Sequence, residues 1–303
     1  MPATYLQFEV YNPATGQTLT LNDVTSDPDK LYTISEPPQF RMGVRTTKQN
    51  RLGRHFVKSQ YSFYEERLML FKGQIAVFNN SVSDLETMVS NLKQIFALPP
   101  LPDESNDGFI YLKWTDARGL SWQVRAKVLS DVYIEPIFGV PFLRTFNLEL
   151  MAEDGYIYSQ TEFTASTTPS YYATVSTLPI TLPVTLVAGW VDDLVVTNSG
   201  NFPSPPRLRI TGTGAGVIDP KIEIVETGKS IELTGLTIAT GRYVEIDIAE
   251  GTIEYDDGTD YSQYLTNDSD WIYLNPGANT VRFTHTGSFL DGLLGVYWRN
   301  TEI

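Results

Sequence analysis

The chain has 303 residues, 42% hydrophobic and 19% charged, which is the composition of a folded globular protein and long enough for two domains. It carries no cysteine, which excludes disulfides, cysteine-ligated zinc and thiol catalysis. The net charge of −14 is uneven: residues 1–160 carry 15 Lys+Arg against 18 Asp+Glu (−3), and residues 161–303 carry 7 against 18 (−11). The acidic second half would repel a phosphate backbone, so sequence-specific or general nucleic-acid binding is not expected there.

Met1-Pro2-Ala3-Thr4 opens straight onto strand-like Tyr5–Val10, so no signal peptide is expected. No run approaches 18 apolar residues, so no membrane span is expected either. Tyr5–Val10 alternates, Asn12-Pro13-Ala14-Thr15-Gly16 turns, and Thr18–Leu21 returns, which reads as a hairpin. Residues 39–65 follow with an unusual charge pattern. No acidic residue stands between Glu36 and Glu65, while Arg41, Arg45, Lys48, Arg51, Arg54 and Lys58 are all basic. The polar, glycine-punctuated stretch Val44–His55 predicts a long exposed loop or arm, and these six cations are candidates for contact with an acidic surface of a neighbouring subunit. The aromatics Tyr61, Phe63 and Tyr64 lie beyond the basic run and not within it, which argues against a nucleic-acid platform.

From Ser83 to Leu98 the apolar residues Leu85, Met88, Val89, Leu92, Ile95 and Phe96 fall on one face of a helix. Ser83 with Glu86 reads as a capping box, and Pro99-Pro100 as the stop. Tyr111–Trp114 and Trp122–Val128 flank Asp116-Ala117-Arg118-Gly119 as a second hairpin, and Phe146–Met151 is a further alternating strand. The Ser/Thr-rich run from Ser159 to Ser170 predicts a linker.

Beyond it, Leu194–Thr197, Arg207–Ile210, Lys221–Val225, Ser230–Leu233, Tyr243–Ile248, Thr252–Tyr255 and two runs around Asn275-Pro276-Gly277-Ala278-Asn279 predict an antiparallel sandwich or jelly roll. Pro276-Gly277 are the corner residues of a type II turn, with Trp271 and Tyr273 on one face of the preceding run and Ile272 and Leu274 on the other.

Constellations for chemistry are sparse. The only histidines are His55 and His285, one in each half, so a metal cluster or Ser-His-Asp set is not expected. Gly212-Thr213-Gly214-Ala215-Gly216 resembles a phosphate-binding turn but leads into a strand and not a helix, and so reads as a plain loop. Glu254–Asp260 is acidic enough for calcium, yet its Asp-Gly is a hairpin turn and its spacing is not an EF-hand's. No catalytic, cofactor-binding or metal residue is assigned.

Three ordered segments carry a resemblance: Asn198-Ser199-Gly200 with Pro206 before a strand, Thr227-Gly228 before the next, and Leu274-Asn275-Pro276-Gly277-Ala278-Asn279-Thr280-Val281 near the end. In this order they resemble the C-terminal domain of the siphovirus-type distal tail protein (Dit) family of tailed bacteriophages. The first half is similar to that family's N-terminal domain in layout, with Asp154-Gly155 where relatives often have Asp-Pro.

The resemblance implies a mainly β chain. Residues 1–158 would be a β-sandwich or barrel-like ring domain with one helix near 83–98, residues 159–171 a linker, and residues 172–303 a galectin-like antiparallel β-sandwich. It implies a non-enzymatic virion protein without cofactors, assembled in the host cytoplasm and placed at the distal end of the tail. Its partners would be further copies in a hexameric ring, the tail tube protein and the tail hub or tail-associated protein, with DNA passing through the ring channel. An alternative is that the C-terminal sandwich binds receptor-binding proteins or a host surface glycan, with Trp271, Tyr273, Tyr297 and Trp298 as stacking aromatics.

Overall fold

The computed structural model describes residues 6–23, 26–35, 39–50, 57–79, 81–97, 108–152, 155–167, 192–286 and 291–303, with backbone alone for 39–50, 57–65 and 192. The chain divides into two compact units, Met1–Gln160 and Thr161–Glu302. The fold is mainly β, and each unit has its own apolar core.

The first unit contains β1 (Phe8–Asn12), β2 (Gln17–Leu21), β3 (Lys30–Ile34), β4 (Gln39–Asn50) and β5 (Val57–Val77), then α1 (Val82–Ile95). After the helix come β6 (Phe109–Thr115), β7 (Ser121–Val128), β8 (Tyr133–Ile137), β9 (Val140–Ala152) and β10 (Ile157–Ser159). Its sheet runs β2-β1-β6-β7-β9-β5-β3, with β4 on β5, β8 on β9 and β10 on β7. The path nearly closes on itself as a barrel. Asn22, just past β2, donates its backbone N–H to Tyr32 O at 2.7 Å and accepts Ile34 N–H on its side chain at 2.6 Å, which ties β2 to β3. This contact holds Asn22 at φ +63°, in the left-handed region that asparagine tolerates better than most residues.

Both expected hairpins form. Asn12 turns the first one, accepting the N–H groups of Ala14 and Thr15, and donates across to Ile95 O at 2.9 Å, where it satisfies a carbonyl at the helix C-terminus. In the second, the Asp116 carboxylate accepts from Arg118 N, Leu120 N and Trp122 Nε1 at 2.8–3.1 Å. The helix buries Leu85, Met88, Leu92 and Ile95 against the sheet, as their spacing predicts.

Its start differs from expectation. Ser81, and not Ser83, is the N-cap: its Oγ accepts Asp84 N–H at 3.2 Å. The serine-x-x-acid pattern occurs twice in succession here, and Asp84 is fixed in the first frame by Asn79 Nδ2 at 2.8 Å and Lys30 Nζ at 3.3 Å.

The second unit contains β11 (Phe163–Ser166), β12 (Asp192–Asn198), β13 (Arg207–Gly212), β14 (Val217–Ile224), β15 (Lys229–Glu232) and β16 (Thr237–Ile238). Then follow β17 (Tyr243–Asp247), β18 (Thr252–Tyr255), β19 (Gly277–Thr286), β20 (Gly292–Trp298) and β21 (Thr301–Glu302). Two antiparallel sheets, β11-β20-β13-β17-β18 and β12-β19-β14-β15 with β16 on β14, enclose one core of Leu208, Ile210, Ile222, Ile224, Val244, Ile246, Val281 and Leu294. This is the expected β-sandwich.

Two details correct the sequence reading. Phe163–Ser166, inside the expected linker 159–171, is strand β11 of the second unit, held because Thr164 and Ala165 pair with Tyr297 and Val296. Residues 168–171 lie outside the described part. The run Trp271–Leu274 is extended but is not a sheet strand; only Leu274 is bridged, to Ser204.

Candidate assembly surfaces

Among the described residues no group of three or more His, Asp or Glu could hold a metal. No helix among them is long and apolar enough to cross a membrane. His285 lies on β19 beside Phe283, with ring centroids 5.2 Å apart; His55 lies outside the described residues.

The glycine-rich turn after β13 is occupied by the protein itself. Buried Asp291 accepts Ala215 N–H on its carboxylate at 2.7 Å, and its carbonyl accepts Thr213 N–H at 2.7 Å. A Cβ on Gly212 would lie 2.4 Å from Ala239 O, so that glycine serves close backbone approach.

The acidic run 254–260 is likewise dispersed. Asp256 pairs with Arg242, Asp257 accepts Thr259 N–H, and Asp260 accepts Ser262 N–H and Oγ–H.

The basic stretch 39–58 departs from the loop reading. Arg41, Arg45 and Lys48 lie on β4 and Lys58 on β5, paired from Gln39↔Leu70 to Asn50↔Val57 with two register shifts. The alternation was masked because polar and basic residues occupy both parities of the strand. Arg51, Arg54 and the side chains of the other four lie outside the described part. β5 meets β9 only from Arg67 onward, so residues 44–50 and 57–66 form a two-stranded ribbon that runs past the sheet. At about 3.3 Å per residue, the roughly ten residues from Val57 to Glu66 reach about 33 Å. A ribbon of two strands is marginal by itself, so an arm of this kind needs something to lie against.

In the second unit the three quoted segments converge. Asn198, fully buried, donates to Phe202 O at 2.7 Å and Leu274 O at 3.0 Å and accepts Gly200 N–H at 3.0 Å. Gly200 lies against Thr301, where a Cβ would sit 2.0 Å from its carbonyl oxygen. Ser204 Oγ donates to Arg299 O at 2.6 Å, and Asn300 Oδ1 accepts Ser199 N–H at 2.9 Å. Beside them, Gly277 turns at φ +95°, while Asn279 accepts Asn275 N–H at 2.8 Å and donates to Asn275 O at 2.7 Å. Thr227-Gly228 closes the β14–β15 hairpin, with Gly228 at φ +68°.

The aromatics divide. Trp298 is buried and donates Nε1–H to Thr197 O at 3.1 Å, and Tyr297 lies under the Arg207 and Arg209 guanidinium groups at 4.7 and 5.8 Å. Trp271 and Tyr273 are exposed, with Ile272 and Leu274 buried, as alternation predicts.

Residues 199–291 match the family model described as siphovirus-type tail component, C-terminal domain. The matched stretch holds Gly200, Ser204 and Leu274 of the hydrogen-bonded cluster around Asn198. No curated protein matches the sequence.

The whole chain is similar in fold to the crystal structure of SPP1 Dit, described as a paradigm of the hub adsorption apparatus in phages infecting Gram-positive bacteria. The TM-score is 0.61 and the identity 15%, over 96% of this chain and 98% of that one. Chains of the phage p2 baseplate in its activated conformation also match. The strontium form has TM-score 0.43 and 9% identity over 96% and 97% of the two chains, and the calcium form 0.42 and 10% over 97% and 98%. The fold of this chain is Dit-like.

Proposed function

We propose that this chain is a distal tail protein, a non-enzymatic virion component that forms a hexameric ring joining the tail tube to the tail-tip hub and host-recognition apparatus, assembled in the host cytoplasm. The observation that supports this most is the likeness to a Dit fold across 96% of the chain, together with the tail-component domain at 199–291. The first unit builds the ring and its DNA channel, and the second is a galectin-like sandwich. The projecting ribbon of β4 and β5 suits subunit contact, and the basic residues of its sequence, Arg45, Lys48 and Lys58, with Arg41, Arg51 and Arg54 next to them in the chain, suit an acidic neighbour. A heterologous contact repeated about a six-fold axis closes without loose ends, each permanent contact burying upwards of about 2,000 Å². Native mass spectrometry and negative-stain imaging of the full chain test the reading. A six-fold ring with a channel is the expected result, and a chain that stays monomeric at high concentration would defeat it.

A second reading is favoured by the exposure of Trp271 and Tyr273 together: the second unit binds a host glycan or a receptor-binding protein through them. Binding of the full chain to a glycan array, abolished by Trp271→Ala with Tyr273→Ala, is the expected result, and no retention on glycans or isolated cell wall would end the glycan arm.

A further inference from the structure

The outer face of the sheet β11-β20-β13-β17-β18 gathers charge and aromatic rings. Alternation sends Leu208, Ile210, Val244, Ile246 and Val296 into the core and leaves Arg207, Arg209, Tyr243, Glu245, Glu254 and Tyr297 outside. Register places Tyr297 opposite Arg207, and Arg209 between Gly295 and Glu245. Glu245 fixes both guanidinium groups: its Oε1 accepts from Arg207 Nη1 at 3.0 Å, and its Oε2 from Arg209 Nε and Nη2 at 2.9 and 2.7 Å. Arg207 also reaches Glu162 at 3.4 Å, and Arg209 lies over Tyr243 at 4.4 Å. A Cβ on Gly295 would meet the Tyr297 ring at 3.2 Å and its hydroxyl at 3.3 Å, so the missing side chain leaves the space across which that ring lies.

Ion pairs at a surface contribute little stability; what this network supplies is order, with planar groups and rings held in place before any ligand arrives. Arg207 and Arg209 stand against Glu162, Glu245 and Glu254, so the face offers no surplus positive charge to a phosphate or carboxylate. A pyranose ring suits it better. The C–H face of such a sugar packs on a phenol ring, and hydroxyls on adjacent carbons match the paired donors of a guanidinium and the paired acceptors of a carboxylate. The hydroxyls of Tyr243 and Tyr297 make no hydrogen bond within the described residues, which leaves both for a ligand of this kind. Trp271 Cζ2 lies 3.9 Å from the place a Cβ of Gly251 would take, at the turn between β17 and β18, so the exposed indole borders the same sheet.

We propose that this face is a saccharide site, which takes an uncharged, hydroxyl-rich glycan chain with Tyr297 and Arg209 at its centre and Trp271 at its border. The rings supply apolar contact, and the Arg207–Glu245–Arg209 network selects the hydroxyl pattern. The site rests on the glycan reading above, to which it gives a ligand class and a centre away from Trp271.

The test uses the full chain on a printed array of uncharged hexose and N-acetylhexosamine oligosaccharides beside uronic-acid and phosphodiester-linked ones. Retention should fall on the uncharged set. Arg209→Lys, which keeps the charge and loses the planar fork, should weaken it at least tenfold while circular dichroism stays unchanged. Tyr297→Phe, which keeps the ring and loses the hydroxyl, should weaken it two- to fivefold. Ser166→Trp, at an exposed position of β11 opposite Gly295, should block the same face by bulk without touching the Arg–Glu network, and so serves even if Arg209→Lys disturbs the fold. Retention that withstands both Arg209→Lys and Ser166→Trp but is lost with Trp271→Ala and Tyr273→Ala overturns this site and leaves the glycan reading standing. Retention confined to the uronic-acid or phosphodiester set overturns the ligand class, and the proposal with it. A wild-type chain retained on no glycan removes the glycan reading and this site together.

Discussion

The two units solve the same problem, a β-rich core, with different chemistry. The first fills its barrel-like sheet with large rings: Phe8, Phe71 and Phe146 are fully buried, Phe8 meets Phe71 edge-on at 5.5 Å, and α1 adds Leu85, Met88, Leu92 and Ile95 to the same core. The second fills the space between two sheets with Ile, Val and Leu and fixes the loops at one side with buried polar groups: Asn198, Ser204, Asn279, Asn300 and Thr301. Apolar packing tolerates exchange of one hydrophobe for another of similar volume, whereas a side chain that bonds three particular backbone groups does not. A core of the first kind leaves a faint trace in sequence, and a polar cluster of the second kind leaves a motif.

The comparison can be broken first at the cores. Phe71→Ala should destabilise the first unit by about 4 kcal/mol, because a ring-sized cavity opens among side chains that cannot collapse into it. Hydrogen-exchange mass spectrometry of the full chain separates the units: protection should fall in 67–76 and 143–152 and be unchanged in 207–248. Phe71→Leu, which keeps most of the volume, should cost less than half as much.

Asn198→Ala should cost the second unit about 3 kcal/mol, since the carbonyls of Phe202 and Leu274 and the Gly200 N–H lose their buried partner together. Gly200→Ala should cost a comparable amount through collision with Thr301, whereas Gly228→Ala, with open space but φ +68°, should cost about 1 kcal/mol. Urea denaturation followed by tryptophan fluorescence measures all three. Equal effects of Gly200→Ala and Gly228→Ala would refute the close approach at Thr301.

Legibility followed the same division. Turn chemistry was readable residue by residue: Asn12 to Gly16, Asp116 to Gly119 and Pro276-Gly277 all turn where their composition demands, and Asn279 bonds its own loop as expected. The helical face was readable from spacing, but its first residue was not, because both Ser81 and Ser83 precede an acid by three positions and only the Asn79 and Lys30 contacts choose between them. Strands β4 and β5 were hidden by basic and polar residues on both parities, which imitate a loop. The inward set Arg67, Met69, Phe71, Gly73, Ile75 and Val77 does keep period two, but the outward-facing Leu68 and Leu70 blur it. β20 was also missed, although its near-continuous apolar run Gly292–Trp298 is the mark of a central strand.

The helix start offers a finer test. Ser81→Ala should destabilise the first unit by about 1 kcal/mol, by leaving Asp84 N–H without its acceptor, and Ser83→Ala should change stability by less than about 0.5 kcal/mol. A larger effect at Ser83 would restore the frame suggested by Glu86.

The smallest expected effect concerns acid. Partial desolvation raises the Asp116 pKa, but hydrogen bonds from Trp122, Leu120 and Arg118 outweigh it and hold the carboxyl at about 2. In the second unit, burial raises Glu245, and the Arg207 and Arg209 guanidinium groups more than reverse that and hold it below the ordinary carboxylate range. Both folded values lie below those of the unfolded chain, about 3.9 for Asp and 4.3 for Glu. Each contribution is therefore fully present above about pH 4–5 and is lost as pH falls through the folded value.

The two sites differ in what is lost. Asp116 shapes one hairpin corner, so its protonation should loosen residues 115–122 alone. Glu245 joins Arg207 and Arg209, all three on adjacent strands β13 and β17, so its protonation should weaken protection along that strand pair. The indole N–H resonance of Trp122, bonded to Asp116 at 3.1 Å, reports the first event directly. Its pH titration should have a midpoint near 2, and a midpoint near 4 would show that the Asp116 hydrogen bonds do not hold the charge.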